Sequence, residues 1–409
     1  MKKSLIALAV TTISGAAFAQ SSVTMFGLVD VGYGTHKTTG PSSASIKSSG
    51  VMDGANAGSR IGFRGTEDLG GGLKAEFWVE QGIAPTNDEL FGVRAGAAGH
   101  QVDGFSAAGS AAALSGSAGA YTNGTNRQTY LGVISGMGTV RIGYQYTNLY
   151  ELGTLSGYAM GSEGVPGADK AHLHMNAQAG GTRANAITYI SPSFNGLTLR
   201  AQIGSGSAGR DTYEASAANA ASNLSMDKAK RTSIMAKYDQ GPLSAAVAYT
   251  ANNFTASTRA AGSQTINAYG AISAAAAAAT TNAAERAAKL TQFGASYNLG
   301  VAKIGLTMNQ GDNGGTTTST ANSSFKSNNW SLTVPLGAFV PFVSTGTAKT
   351  TNDSTNVVTE DYKMTQYGAR YSLSKRTTAY VMAGTTKNNA AGAAWTKDSK
   401  TVVGLAHSF

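Results

Sequence analysis

The chain has 409 residues, 31 Lys and Arg against 22 Asp and Glu, a formal net charge of +9, and no cysteine. The absence of cysteine excludes disulfides, thiolate metal ligands and a cysteine nucleophile. The basic residues are dispersed along a chain that we expect to be exported, which argues against nucleic acid as a partner.

Residues 1–19 predict a secretory signal peptide rather than folded structure. Lys2 and Lys3 form a basic region, an apolar or small stretch follows, and Ala17-Phe18-Ala19 fits a small-x-small cleavage site. The stretch is too short to span a membrane and has no stop-transfer pattern. We therefore expect cleavage between Ala19 and Gln20, and one folded unit over residues 20–409.

The folded part opens with a strand over Val23–Gly34, a polar loop over Thr35–Gly58 and a hairpin over Ser59–Gly82. The hairpin is interpreted as two strands joined by a polar turn at Glu67–Gly72. Successive strand side chains point to opposite faces, so each strand has one apolar and one charged face. The apolar face carries Ile61, Phe63, Leu73, Phe77 and Val79, and the charged face carries Arg60, Arg64, Lys74, Glu76 and Glu80.

The same alternation of apolar and polar residues repeats to the end of the chain. The connections between strands alternate strictly between short turns and long loops. About sixteen strands result, an even number within the range of bacterial outer-membrane barrels. The remaining predicted strands are Arg127–Ile134, Thr139–Tyr146, Ala184–Ile190, Leu197–Ile203, Arg231–Tyr238, Leu243–Tyr249, Gln292–Asn298, Ala302–Asn309, Asn329–Val334, Phe339–Ser344, Thr365–Leu373, Thr377–Gly384 and Ser399–Phe409.

The distribution of charge over the two faces favours a membrane barrel over a soluble sandwich. In the strand centres, charged residues such as Arg141, Arg200 and Lys303 all fall on the non-aliphatic face. A charge facing mid-bilayer lipid would cost roughly 2–4 kcal/mol for Arg or Lys. Aromatic residues including Tyr189 and Trp330 are candidates for the interfacial girdles. The fold class is therefore all-β, a transmembrane antiparallel β-barrel.

One stretch departs from this pattern. Ala271–Leu290 has the best helix propensity in the chain and is predicted as a short surface helix in a loop, with disorder as the alternative. Lys228, Lys230 and Arg231 are read as solvated loop charges, with contact to lipopolysaccharide phosphates as the second interpretation.

Several segments together resemble the Gram-negative general porins, particularly their beta-proteobacterial branch. They are SVTMFGLVDVGYG, SRIGFRGTEDLGGGLKAEFWVEQG, RQTYLGV with GTVRIGYQYTNLY, YISPSFNGL and the terminal VVGLAHSF. The resemblance covers nearly the whole mature chain and implies a sixteen-stranded outer-membrane barrel, usually a homotrimer with one pore per subunit. It also implies that Phe409 is the aromatic C-terminus read by the barrel-assembly machinery.

The same resemblance implies that the third external loop, here Thr147–Arg183, folds into the barrel as a constriction. The loop offers three acidic residues, Glu151, Glu163 and Asp169. The positions that match the family's basic wall cluster are Arg60, Arg64, Lys74 and Arg141. Opposed charges across a water-filled constriction would orient dipolar solutes and favour anions.

Enzymatic, cofactor and metal functions are disfavoured by the residues at hand. His172 and His174 have no clear third ligand for a metal. Asp30, Glu76 and Glu80 are explained by a polar lumen without acid–base chemistry. We therefore expect no cofactor, and a passive outer-membrane diffusion channel for small hydrophilic solutes and ions with a mild anion preference. The alternatives are a substrate-specific channel, or a barrel whose loops serve adhesion.

Overall fold

The structure is a computed structural model, which describes residues 22–41, 44–83, 85–86, 92–94, 121–123, 126–156, 183–205, 228–256, 284–312, 323–391, 393 and 396–409. The predicted cleavage site between Ala19 and Gln20 lies outside the described residues. Within these ranges, no helix is long and apolar enough to cross a membrane.

Nearly all of the described chain is β-strand. The strands are β1 Ser22–Thr39, β2 Ser45–Asp53, β3 Arg60–Gly70, β4 Leu73–Gly82, β5 Gly92–Arg94, β6 Tyr121–Asn123, β7 Asn126–Ser135, β8 Gly138–Tyr146, β9 Arg183–Ile190, β10 Leu197–Ser205, β11 Lys228–Gln240, β12 Leu243–Ala256, β13 Ala284–Asn298, β14 Lys303–Asp312, β15 Ser323–Thr333, β16 Phe339–Asn352, β17 Val358–Ser372, β18 Thr377–Asn388 and β19 Lys397–Ser408. A short helix, α1 (Asn148–Gly153), and a 3-10 turn (Thr154–Ser156) follow β8.

The strands other than β5 and β6 form one antiparallel sheet that closes on itself. β1 pairs with β19, the last strand, and on its other edge with both β2 and β3. Because β2 pairs with Val31–Thr39 and β3 with Ser22–Leu28, these two strands share one position. Within the described residues the barrel therefore has sixteen positions. The predicted all-β transmembrane barrel is confirmed.

The two faces of the sheet differ as the alternation predicts. Outward side chains are apolar and exposed, as for Leu131 (69%) and Ile142 (59%). Inward positions hold mostly polar side chains, and Thr188, Gln202 and Gln292 are buried there. In water the outward face would expose a continuous apolar band, so this arrangement suits a lipid environment.

Several strands run further toward the long-loop end of the barrel than the sequence predicts. The alternation predicts that β16 ends at Ser344, but the strand continues to Asn352. In the same way, β13 begins at Ala284 rather than at the predicted Gln292. Apolar alternation marks only the part of a strand that faces lipid. The backbone ladder continues into water, where polar outward side chains carry no penalty.

Two predicted segments are wrong because they form strands of this kind. Thr35–Gly58 is not a loop, since β1 continues to Thr39 and β2 occupies Ser45–Asp53. The helix predicted for Ala271–Leu290 fails over residues 284–290, which lie in β13 and pair with β12. The ladder overrides the intrinsic helix preference of alanine there. Residues 271–283 lie outside the described residues.

The interpretation of Arg231 as a loop charge is also wrong. Arg231 belongs to β11, pairs with Gly204 of β10, and is fully buried. It has the same parity as Ser233 and Met235, which are buried on the inner face. Its charge therefore lies inside the barrel rather than among the outer loops.

The seam between the first and last strands is completed by the terminal residue. Phe409 donates its N–H to the carbonyl of Gly27 (3.2 Å) and accepts from the Gly27 N–H (3.1 Å). A Cβ atom at Gly27 would lie 2.2 Å from Cζ of the Phe409 ring. The ring therefore covers the glycine, and the seam needs both residues as they are.

Replacing Gly27 by Val is expected to destabilise the folded barrel by about 1–3 kcal/mol, because the added methyl groups overlap the Phe409 ring. The folded barrel migrates as a compact species on a denaturing gel. The change in stability is measured as the change in the temperature at which the detergent-folded protein loses this mobility. Gly50→Ala is the control, since no atom lies within 4 Å of a Cβ at Gly50. An equally stable Gly27→Val barrel would contradict the packing described for the seam.

Candidate functional site

The four predicted basic residues all lie on inward-facing positions of the wall. Arg60 and Arg64 are on β3, Lys74 on β4 and Arg141 on β8. Lys74 is the second residue of β4, beside the turn at 71–72, and it pairs in register with Asp68. It is therefore close to the short-turn rim, whereas Arg60 lies near the other end of the same strand pair.

Two carboxylates on the inner face of β4 are bound by three of the wall arginines. Arg141 Nε donates to Glu76 Oε1 at 2.6 Å and its NH2 donates to Oε2 at 3.3 Å. Glu80 accepts from Arg127 Nε at 2.5 Å and lies 3.6 Å from Arg60 Nε. The positive charge on this side of the wall is thus partly balanced at short range.

The sequence pattern misses Arg127 because it has the parity of the outward residues. The ladder between β4 and β7 shifts register here, with Glu80 opposite Gln128 and Gln81 opposite Asn126. Arg127 is the extra residue of this β-bulge, which redirects its side chain toward Glu80. Such a bulge leaves no trace in the alternation, so the pattern carries no signal for this arginine.

A second group of arginines gathers around Tyr146, the last residue of β8. The Tyr146 hydroxyl accepts from Arg127 NH2 (3.1 Å) and Arg183 NH2 (3.2 Å), and its backbone carbonyl accepts from Arg200 NH2 (2.7 Å). Its ring stacks on Tyr150 of α1, with centroids 4.0 Å apart. These contacts fix the point at which the chain leaves β8.

Residues 147–156, which follow β8, pack against the inner wall of the barrel. Thr147 caps α1 through its hydroxyl, which accepts from the Tyr150 N–H at 3.4 Å. Leu149 packs with Leu290 and Phe325, on the inner faces of β13 and β15. Leu152 packs on the inner wall of β11 and β12, together with Leu155 of the 3-10 turn. The packing of α1 and the 3-10 turn on the inner wall explains why apolar residues occur at these inward-facing positions.

Glu151 is the one predicted loop carboxylate that the described residues include. It lies 3.0 Å from Arg200 NH1 of β10, so it ties α1 to the wall. Glu163 and Asp169 lie outside the described residues, as do His172 and His174. Among the residues that are described, no group of three or more His, Asp or Glu could hold a metal ion.

Residues 54–59, between β2 and β3, form a second inward segment that the sequence did not predict. We call them the inner segment. Ala55 is buried against Phe342, Tyr380, Met382 and Val402, on the inner faces of β16, β18 and β19. Small residues at Gly54, Ala55, Ala57 and Gly58 are the only signal that the chain could turn inward here.

Asp30 of β1 holds the inner segment in place. Its Oδ2 accepts from the N–H groups of Asn56 (2.8 Å) and Ala57 (2.6 Å), and its Oδ1 accepts from the Tyr380 hydroxyl (2.6 Å). Asp30 is fully buried. It therefore acts as a structural anchor, with every hydrogen bond directed to the protein.

The inner segment also orients two arginines at the edge of the passage. The Gly58 carbonyl accepts from Arg60 NH1 at 3.0 Å, and the Asn56 side-chain carbonyl accepts from Arg370 Nε at 2.7 Å. Arg370 lies over the Phe342 ring, 5.3 Å from its centroid. Wall arginines thus reach the lumen on both sides of this segment.

The fold and the charged lumen together place the protein in the class of outer-membrane β-barrels with a charged passage. The comparisons with known proteins identify the family within this class. A family model described as Gram-negative porin matches residues 4–391. Outer membrane porin protein 32 of Delftia acidovorans is 52% identical over 101 residues, covering 24% of this chain and 25% of that protein. An outer membrane porin protein of Bordetella pertussis is 27% identical over 458 aligned positions, covering 100% of both chains.

The structural comparison supports the barrel fold. The anion-selective porin from Comamonas acidovorans superposes with a TM-score of 0.62 at 23% identity, covering 95% of this chain and 100% of that one. Several curated relatives are matched over only a quarter to about half of their own length. The chain belongs to the Gram-negative porin family, and its location is the outer membrane. The predicted family resemblance is confirmed; the relatives are named as porins, not as enzymes.

Replacing Asp30 by Ala is expected to destabilise the barrel by roughly 2–4 kcal/mol, because the Asn56 and Ala57 N–H groups and the Tyr380 hydroxyl lose a buried acceptor. Thermal unfolding in detergent measures the loss. Asp68→Ala is the matched control, since Asp68 is an exposed residue near the end of β3 whose carboxylate accepts from the Gly70 N–H. Equal unfolding temperatures for both variants would contradict the anchoring role.

Replacing Leu152 by Ala is expected to loosen α1 from the wall, since truncation of a buried leucine costs about 2–5 kcal/mol. More frequent current fluctuations in single-channel recordings would report the loosened segment. Leu131→Ala, at an outward position, provides the control and should leave the traces unchanged. An unchanged frequency of current fluctuations in a folded Leu152→Ala protein would show that the position of α1 does not depend on this contact.

Proposed function

We propose that the protein is a diffusion channel that passes small hydrophilic solutes and ions through the outer membrane, with a mild preference for anions. The observation that carries this proposal is the inner wall, where arginines outnumber the carboxylates beside them. Among the described residues, these three arginines, Arg60, Arg127 and Arg141, form ion pairs with two carboxylates, Glu76 and Glu80. A water-filled passage bordered by excess positive charge raises the local concentration of anions.

The constriction belongs to the same proposal. Residues 147–183 would narrow the passage, with Glu151, Glu163 and Asp169 on the loop side and Arg60, Arg64, Lys74 and Arg141 on the wall. The inward course of α1 and its contacts with β11–β15 support this arrangement. A fixed guanidinium fork keeps its charge at any physiological pH, which suits a permanent selectivity element.

The assembly and targeting expectations are proposals as well. We expect a homotrimer, export through cleavage between Ala19 and Gln20, recognition of Phe409 by the barrel-assembly machinery, and contact of the outer loops with lipopolysaccharide. The outward apolar face supports insertion among lipids. The place of Phe409 in the seam supports a role for this residue at the time of barrel closure.

Neutralising Arg141 should shift selectivity toward cations. A unit charge about 10 Å from a permeating ion in water contributes about 0.4 kcal/mol, favourable for chloride and unfavourable for potassium. Arg141→Gln is therefore expected to change the relative permeability of chloride and potassium about fourfold. Arg60→Gln should change it in the same direction, and Glu76→Gln in the opposite one. Reversal potentials across a planar bilayer with a KCl gradient measure all three.

Lys375→Gln is the control for these variants, because it removes one positive charge from an exposed turn. A shift as large as that of Arg141→Gln would mean that total charge, not the wall, sets the selectivity. Strong cation selectivity of the unmodified protein would exclude the basic-wall proposal. Saturable conductance with a single solute would favour a substrate-specific channel, and receptor binding without conductance would favour adhesion.

A further inference from the structure

Three aromatic side chains form a row on the inner wall, between the Arg141–Glu76 pair and the Arg127–Glu80 pair. They come from three strands: Phe26 of β1, Trp78 of β4 and Tyr130 of β7. The Phe26 and Trp78 ring centroids are 4.7 Å apart, and those of Trp78 and Tyr130 are 6.4 Å apart with nearly parallel planes. Inward positions of a water-filled barrel are ordinarily polar, so this row needs an explanation.

A glycine between the first two rings makes the row possible. Gly62 of β3 stands opposite Phe26 in the ladder, on the strand between β1 and β4. A Cβ atom at Gly62 would lie 2.5 Å from Cζ of Phe26. Phe26 therefore reaches across β3 to Trp78, and neither ring is fully buried. Part of this aromatic surface remains open to the passage.

Arg64 lies over this surface and differs from the arginines nearby. Its guanidinium carbon is 5.4 Å from the Phe26 centroid and 5.3 Å from the Trp78 centroid. The side chain is exposed, and no described residue forms an ion pair with it. Arg60, Arg127 and Arg141, by contrast, each have a carboxylate partner.

A guanidinium stacked on aromatic rings keeps the N–H groups along its edge available. Those groups match the two oxygens of a carboxylate, and the pair gains from charge assistance. The adjacent ring surface would contact a flat apolar group attached to that carboxylate. Tyr130 is less suited to this role because Arg141 already covers its ring at 4.7 Å.

We infer that Arg64, Phe26 and Trp78 form a weak binding subsite on the channel wall for planar aromatic carboxylates. The inference rests on the proposed channel function, because the ligand reaches the subsite from the passage. Weak binding is what conduction requires, since a solute must leave the wall as readily as it arrives. The subsite would enrich aromatic anions over aliphatic anions of the same charge and similar size.

The first test uses the unmodified protein in a planar bilayer, with benzoate and cyclohexanecarboxylate added in turn to a constant KCl solution. The two anions carry the same charge, but only benzoate has an aromatic face. Benzoate is expected to reduce the KCl current in a saturable way, with an apparent affinity about fivefold higher than that of cyclohexanecarboxylate. Equal effects of the two anions would overturn the inference, and this comparison depends on no variant.

Two variants then locate the effect. Trp78→Leu should bring the benzoate affinity down to that of cyclohexanecarboxylate, whereas Trp330→Leu, at an outward position with 47% exposure, should keep the fivefold difference. Arg64→Lys keeps the charge but loses the planar fork, so it should lose most of the affinity for both anions. A benzoate preference that survives Trp78→Leu would overturn the assignment.

The outcomes separate this inference from the proposed function. KCl conductance without any saturable benzoate effect would remove the subsite and leave the diffusion channel intact. Absence of KCl conductance from a correctly folded sample would remove the channel itself. Compact mobility on a denaturing gel before heating establishes folding of each sample, so a lost signal is not confused with an unfolded barrel.

Discussion

Closure of the backbone ladder between β1 and β19 is the constraint on which the rest of this structure depends. Lipid offers no partner to a free N–H or carbonyl group, so a sheet can span the membrane only if its edges meet. Three sets of contacts hold this seam together. Leu28–Thr39 pair with Lys397–Ser408, Phe409 pairs with Gly27, and Tyr380 crosses from β18 to Asp30. The same seam that closes the barrel therefore also anchors the inner segment, and so sets part of the lumen.

Glycine at inward positions lets large side chains cross from one strand to another. Tyr380 passes over Gly404, where a Cβ atom would lie 2.3 Å from its hydroxyl, to reach Asp30. Phe26 passes over Gly62, and Glu76 extends above Gly132, where a Cβ would approach its Oε1 to 2.7 Å. These crossings shape the lumen together with α1, which packs on the inner wall. The alternation of polar and apolar residues cannot predict these crossings. A glycine in a strand has no side chain, so it does not indicate which face of the sheet it occupies.

The sequence predicts the lipid-facing part of the barrel well, and physical reasons explain where it stops. A misplaced charge in lipid costs several kcal/mol, so β7 and β8 alternate strictly and were predicted to within about one residue. Outside the bilayer an outward charge carries no such energetic penalty. The alternation therefore does not predict the outer half of β16 or the start of β13. Within the site, the inward parity of Arg60, Arg64 and Arg141 was predictable. Their partners were not, since the Arg127 bulge and the inner segment depend on register and packing that no local pattern records.

The way in which the wall charges are paired argues for a graded selectivity. An arginine beside a carboxylate acts at a distance as a dipole, and its field in water falls off faster than that of a single charge. Arg141 with Glu76 is such a pair, and Glu80 compensates part of the charge of Arg60 and Arg127. Arg64 differs from Arg60, Arg127 and Arg141 because aromatic rings rather than a carboxylate support it. Strong fields thus act only close to the wall. Under the proposed function, such a passage would favour anions without holding them, and discrimination among anions would depend on the surface around Arg64.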